Sequence, residues 1–250
     1  MGLNLDQTIL LAVSVSFFCG GVVKGVVGMG LPLTALALMT TVLDLRTAVS
    51  LLVIPIILTN ILQAFRGGMF KELLQKFWLM LVIAAAGVFV GVYCLYRFDP
   101  SYFLITLGII VCAYSLNNLY SVRLSISEQS MPIMSPIVGA CSGLAAGMTG
   151  TIGVPIAIYF QALGLKKNMF VQAVGIQFLF TGSILTLALF RQGGFTSEIS
   201  IISAIAVIPS LIGMFAGKII REKVSEDRFR TWLYVVLLFV GLNLIRKGIF

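Results

Sequence analysis

Apolar runs, most of them near the roughly 20 residues needed to cross a bilayer, alternate along this chain with polar connections of a few residues. They predict ten helical segments, roughly 8 to 27, 31 to 43, 46 to 65, 76 to 98, 100 to 120, 133 to 149, 154 to 165, 169 to 190, 199 to 220 and 230 to 247. Segments two and seven, at about 12 to 13 residues, are too short to span alone. Each follows a glycine-rich break and begins beside a proline, Pro32 or Pro155, and the two hold corresponding places in two halves of the chain.

The halves match residue by residue. Adding 122 carries Cys19, Gly21, Gly25 and Gly28 onto Cys141, Gly143, Gly147 and Gly150. After one inserted residue, 123 carries Gly30 to Gly153 and Pro32 to Pro155, and 125 carries Ala48 to Ala173, Arg66 to Arg191 and Gly68 to Gly193. Finally 126 maps the pair Gly87 and Gly91 onto Gly213 and Gly217, and Asn117 onto Asn243. An ordered series of this kind predicts a duplicated five-segment unit, repeat one over about 8–120 and repeat two over about 133–247, within one transmembrane domain spanning 1–250.

Loop charge bears on how the halves relate. With all ten segments crossing, one face collects eleven basic residues: Arg66, Lys71, Lys76, Arg123, Lys166, Lys167, Lys218, Arg221, Lys223, Arg228 and Arg230. The other face has five: Arg46, Arg97, Arg191, Arg246 and Lys247. If segments two and seven instead dip in and return, the division falls to nine against seven, which scarcely expresses the positive-inside rule. The expected fold class is therefore an all-α polytopic membrane protein of two inverted five-segment repeats, with short broken helices near the midplane. Both termini are expected outside the cytoplasm, in the cell (plasma or inner) membrane, and a re-entrant geometry stays open.

Composition agrees: 59% of residues are hydrophobic and 10% charged, with mean hydropathy +1.08, against about a quarter charged in soluble domains. Met1 to Gln7 lacks the basic start of a signal peptide, so segment one is expected to be retained. Net charge +8 lies in connections and segment ends and serves topology, so no nucleic-acid partner is expected. Cys19, Cys94, Cys112 and Cys141 fall in apolar runs without a C-x-x-C pair, and with no histidine no metal site is expected.

The candidate chemistry centres on the breaks. Gly20-Gly21-Val22-Val23-Lys24-Gly25-Val26-Val27-Gly28-Met29-Gly30-Leu31-Pro32 ends one helix and opens a short one. Backbone N–H groups freed there, together with the positive end of the following helix, suit an anion. The partner break, Gly147-Met148-Thr149-Gly150-Thr151-Ile152-Gly153-Val154-Pro155, adds two threonine hydroxyls as candidate donors. The competing reading is that these glycines only allow close helix packing. Lys24 is the one basic residue inside an apolar segment. It either snorkels to the interface or lends positive potential to an anionic substrate. Asn60, Gln63 and Arg66 share a helical face, as Gln172, Gln177 and Thr181 largely do, and interhelical hydrogen bonding competes with substrate contact for all of them. Tyr159 and Gln161 are secondary candidates. The candidate substrate site is thus Lys24, Gly28, Met29, Gly30, Asn60, Gln63, Thr149, Gly150, Thr151, Gly153 and Gln177.

Every carboxylate lies in a tail, connection or segment end, which disfavours a cation path or proton relay. Gly213 to Lys218 is one residue short of a phosphate-binding loop, so ATP-driven transport by this chain is not expected.

At these residues the chain resembles the TauE/SafE family of sulfite exporters and related anion permeases. The resemblance runs over essentially the whole chain. Its marks are Lys24-Gly25-x-x-Gly28-x-Gly30, the Gly150/Gly153-Pro155 element and Arg66-x-Gly68, while Leu31 and Val154 depart from the G-x-G-G form common in that family. The resemblance implies a transporter, foremost an exporter, of sulfite, a sulfonate or another small organic or sulfur-containing anion. The expected partners are a small anionic substrate and the lipid bilayer, a homo-oligomer is left open, and no cofactor or catalytic residue is implied. The competing functions are a structural or assembly subunit and a membrane-embedded enzyme.

Overall fold

The computed structural model describes residues 7–120, 125–223 and 226–249, and no strand occurs among them. Its helices are α1 (Gln7–Val27), α2 (Leu31–Met39), α3 (Leu45–Phe65), α4 (Phe70–Arg97), α5 (Pro100–Leu119), α6 (Met131–Thr149), α7 (Gly153–Ala162), α8 (Lys167–Arg191), α9 (Ser197–Ile205), α10 (Val207–Lys223) and α11 (Glu226–Ile249). Seven helical runs among the described residues are long and apolar enough to cross a membrane, α9 and α10 counting as one. The protein is an all-helical, multi-pass membrane protein.

Three of the departures from the hydrophobic runs have a local reason. Segment two stops at Met39 because the hydroxyls of Thr40 and Thr41 turn back onto the carbonyls of Ala37 and Leu38, at 3.2 and 2.7 Å. α4 starts at Phe70, well before the apolar run, because Leu73 and Phe77 bury one side of an otherwise polar first two turns. Segment nine divides at Ala206, since Pro209 has no N–H to offer the Ile205 carbonyl. The bond from Ser210 N–H to Ala206 O carries the path onward at 3.2 Å.

Two sets of contacts fix the bundle's ends. At the first end, Arg46 at the start of α3 donates to the Leu95 and Tyr96 carbonyls that close α4 (3.0 and 3.4 Å), and Lys247 at the end of α11 donates to the Thr40 carbonyl after α2. Gly194, between α8 and α9, lies against the Tyr96 hydroxyl. At the second end, Gln172 near the start of α8 closes the α3–α4 turn, donating to Ala64 O (2.9 Å) and accepting from Met69 N–H (3.2 Å). That turn carries Gly67 and Gly68 at φ 130 and 77, beyond the reach of other residues without strain. There too the Ile126 N–H meets the Ala162 carbonyl that ends α7 (2.9 Å), and Lys76 pairs with Glu128 (2.9 Å) on an exposed surface.

Glycine sets the closest packings. A methyl group on Gly21 or Gly25 of α1 would strike the Ser210 or Met214 carbonyl of α10, and one on Gly213 or Gly217 would strike Phe18 or Val22 of α1. In the same manner Gly87 and Gly91 of α4 lie against Gly143 and Gly147 of α6. In both pairs the numbering rises in step, so the helices run parallel and their backbones touch. α5 packs on α11 and α3 on α8.

Inside α3, Pro55 leaves the Leu51 carbonyl without its helical donor. Ser203 of α9, fully buried, supplies one: its hydroxyl donates to Leu51 O (2.8 Å) and accepts from Ile54 N–H (3.3 Å). Ser203→Ala is therefore expected to lower the stability of the purified protein by about 1–3 kcal/mol. In a Pro55→Ala background, where the backbone bond is restored, the same change should cost much less, and equal melting shifts in both backgrounds would refute this role.

Candidate functional site

The first break falls after Val27. Gly28 and Gly30 take φ 88 and 104, left-handed values that a side chain would strain, and the chain turns back into α2 with Pro32 in its first turn. The tip of this α1–α2 hairpin is tied down by Gln63 of α3, whose amide donates both hydrogens, to Gly28 O (3.1 Å) and to Val171 O of α8 (2.8 Å). The second break falls after Thr149, with Gly150 at φ 67. Its tip lies beside Val49 and Leu52, nearer the other end of α3. The hairpins α1–α2 and α6–α7 thus enter the bundle from opposite ends and overlap.

Where they overlap they line one cavity of about 30 Å³, room for a water or two. The first break and its flanks contribute Val23, Val27, Met29, Gly30, Pro32 and Leu33. The second contributes Thr151, Ile152, Gly153 and Val154, and Tyr114 of α5 and Phe178 of α8 complete the wall. Pro32 and Leu33 in the first turn of α2 and Gly153 and Val154 in that of α7 line this space; Pro32 has no N–H, and those of the other three precede the helical ladder. Gly153 allows the close fit: a methyl group there would come within 2.9 Å of Phe178 Cζ and 3.6 Å of Met29 Cε.

Of the residues singled out in the sequence, Met29, Gly30, Thr151 and Gly153 line this cavity, and Gly28, Thr149 and Gly150 adjoin them in the chain without lining it. The others stand behind it. Lys24, one turn before Gly28, is buried (3% exposed) and does not snorkel; its ammonium donates to Asn60 Oδ1 (2.6 Å) and Thr59 Oγ1 (3.1 Å). Those acceptors are anchored in turn, Asn60 Nδ2 to Ile56 O (2.7 Å) and Thr59 Oγ1 to Pro55 O (2.6 Å). Gln177 donates to Thr181 within α8 (3.2 Å) and its buried carbonyl oxygen has no partner among the described residues.

The threonine pair differs from expectation. Thr149 gives its hydroxyl hydrogen to Ala145 O (2.7 Å), so the short contact between the two hydroxyls uses the hydrogen of Thr151. Neither is a free donor in this conformation. Arg66 has left the helix and is exposed, Tyr159 is held by Ser135 (2.7 Å), and Gln161 points outward. Tyr114 and Phe178 went unnoticed in the sequence because an aromatic residue in an apolar run carries no sign of which wall it joins.

The family model of the sulfite exporter TauE/SafE matches residues 13–244. No curated protein and no solved structure matches the chain.

Gln63 holds the first tip, so Gln63→Met, similar in shape but without the amide, should loosen it. The expected outcome is faster amide hydrogen exchange at residues 28–31, with exchange around Gly143 and Gly147 unchanged. Uniform exchange across both regions would show that Gln63 merely fills space.

Proposed function

We propose that this protein, which belongs to the sulfite exporter TauE/SafE family, carries its small anionic substrate in the space between the two helix breaks and exposes that space to each membrane face in turn. Its family is one of membrane transporters, not of enzymes. The observation that carries the reading is the shared cavity: two chain segments far apart in sequence, each interrupting a helix, bring the first turns of α2 and α7 to one small, partly open space. Paired broken helices of this kind are how inverted-repeat transporters build substrate sites.

The packing supports two inverted repeats. The first segment of repeat one, α1, packs on the fourth of repeat two, α10, and the fourth of repeat one, α4, on the first of repeat two, α6. Third meets third in α3 and α8, and fifth meets fifth in α5 and α11. Such an exchange of partners is what a two-fold axis between the repeats requires, and five crossings per repeat invert one against the other. Because the hairpin tips reach past one another, a modest tilt of one repeat opens the cavity to one end or to the other.

The anion is sulfite, a sulfonate or a chemically related small anion. An inside-negative membrane favours its outward movement by about 2.3 kcal/mol per charge per 100 mV, so the working direction is export and needs no coupling ion. The first end of the bundle, with the end of α11 and the start of α1, is placed outside the cytoplasm. A cysteine added at either terminus, in a background lacking Cys19, Cys94, Cys112 and Cys141, should therefore react with an impermeant reagent in intact cells. Labelling only after permeabilisation reverses the orientation.

Flux of sulfite through purified protein in liposomes tests the site. Gly30→Val forces a branched side chain to φ 104 and into Val23, at 2.8 Å, and Gly153→Val drives into Phe178. Both are expected to abolish flux in protein that inserts normally. Gly87→Ala and Gly213→Ala meet the backbone of a neighbouring helix instead, and should lower thermal stability while folded protein keeps its affinity for sulfite. Native flux in either valine variant rules out the two-sided site.

A further inference from the structure

The two hairpins are held in unequal ways. The first is clasped by α3: Lys24 of α1 donates to Asn60 Oδ1 (2.6 Å) and Thr59 Oγ1 (3.1 Å), and Gln63 donates to the Gly28 carbonyl at the tip (3.1 Å). The same Gln63 amide reaches Val171 O of α8 (2.8 Å), which anchors the clasp on a second helix. In the second hairpin the polar side chains bond inward: Ser135 with Tyr159 (2.7 Å), Thr149 to Ala145 O (2.7 Å), and Thr151 to Thr149. Among the described residues no hydrogen bond joins its tip to α3, and Gly150 lies there against the side chains of Val49 and Leu52. The same inequality is written in the chain. With the offsets of 122 and 125 that align the halves, Lys24, Thr59, Asn60 and Gln63 correspond to Ala146, Ile184, Leu185 and Ala188. Ala146, Leu185 and Ala188 are buried and Ile184 packs on the core, so apolar residues fill the positions where the first half carries its clasp.

On the premise of the reading above, that the cavity is exposed to each end of the bundle in turn, we infer that its two gates are unequal. Lys24, Asn60 and Gln63 latch the gate toward the second end, and the cavity opens more readily toward the first. The first tip, beside Gln63 and Val171, stands between the cavity and the second end; the second tip, beside Val49 and Leu52, stands between the cavity and the first. Withdrawing the second tip from α3 parts it from apolar side chains. Withdrawing the first breaks three hydrogen bonds and takes a buried ammonium from both its acceptors, which an apolar interior penalises. Lys24, Asn60 and Gln63 are positioning residues: they act on the hairpin and set which end the cavity meets at rest.

A single cysteine in the cavity wall tests this. Val154→Cys is made in the full-length protein lacking Cys19, Cys94, Cys112 and Cys141, and a small impermeant thiol reagent is applied from one side of the membrane at a time. Ile249→Cys, at the exposed end of α11, marks which side is the first end. Val154→Cys is expected to react from that side roughly tenfold faster, or more, than from the other. Two variants copy the second half at the clasp: Gln63→Ala, and Lys24→Ala combined with Asn60→Leu. Each should raise the rate from the second end and bring the two rates together, with the melting temperature as a check on folding. Equal rates in the unclasped and clasped proteins alike, or a faster rate from the second end, overturn the inequality and leave alternating exposure standing. No reaction from either side, in protein that labels fully once denatured, overturns both. An unchanged ratio in a folded clasp variant overturns the latch. Where a clasp variant fails to fold, Gln63→Met, which keeps the shape of the side chain, takes its place with the same expected result and the same force.

Discussion

In hydrocarbon no water is at hand to satisfy an exposed N–H or carbonyl, so each interruption of a helix inside the bundle must be met by another part of the protein. The structure depends on this constraint at two places inside the bundle, Pro55 and Gly28, and the same kind of repair recurs at two places at its ends. Pro55 frees the Leu51 carbonyl and Ser203 meets it; Gly28 leaves a carbonyl that Gln63 meets; the α3–α4 turn opens Ala64 O and Met69 N–H, and one amide, Gln172, meets both. The end of α4 is closed by Arg46. Every one of these donors comes from a different helix than the break it serves, so repair of the backbone and assembly of the bundle are the same event.

Two kinds of contact hold the helices together. Glycines let backbones touch between α1 and α10 and between α4 and α6, and Gly175 does the same between α8 and α3. Across α3 and α8 the long polar side chains of Gln63 and Gln172 add hydrogen bonds to backbone. The first two pairs each contain a helix leading into one break, α1 or α6.

The chemistry follows from what the breaks leave over. At the first tip the Gly28 carbonyl is taken by Gln63, and residues of both breaks line a largely apolar space too small for more than a water or two. Gln63 and Thr149 have their side-chain hydrogens committed to backbone carbonyls, and Asn60 commits one of its two amide hydrogens to Ile56 O. Lys24 is buried with its ammonium on two neutral acceptors, Thr59 and Asn60.

The amino-acid sequence by itself determined a helical membrane protein and its family, because hydrophobic length and motif residues along the chain are signals that hold whatever the packing. It also marked Lys24, Gly28, Gly30 and Gly153 as unusual, since a charge in an apolar run and glycines around a proline are visible without a partner. Tertiary structure alone decided what those residues face. Sequence spacing put Asn60 and Gln63 on one face of α3, but only the packing of α1 and α8 made one a seat for Lys24 and the other a clasp for Gly28. It likewise gave Ser203 its role, since that depends on Pro55, 148 positions earlier. Hydrogen bonds form between side chains and backbone brought together by the fold, and such pairings leave no periodic trace along the chain.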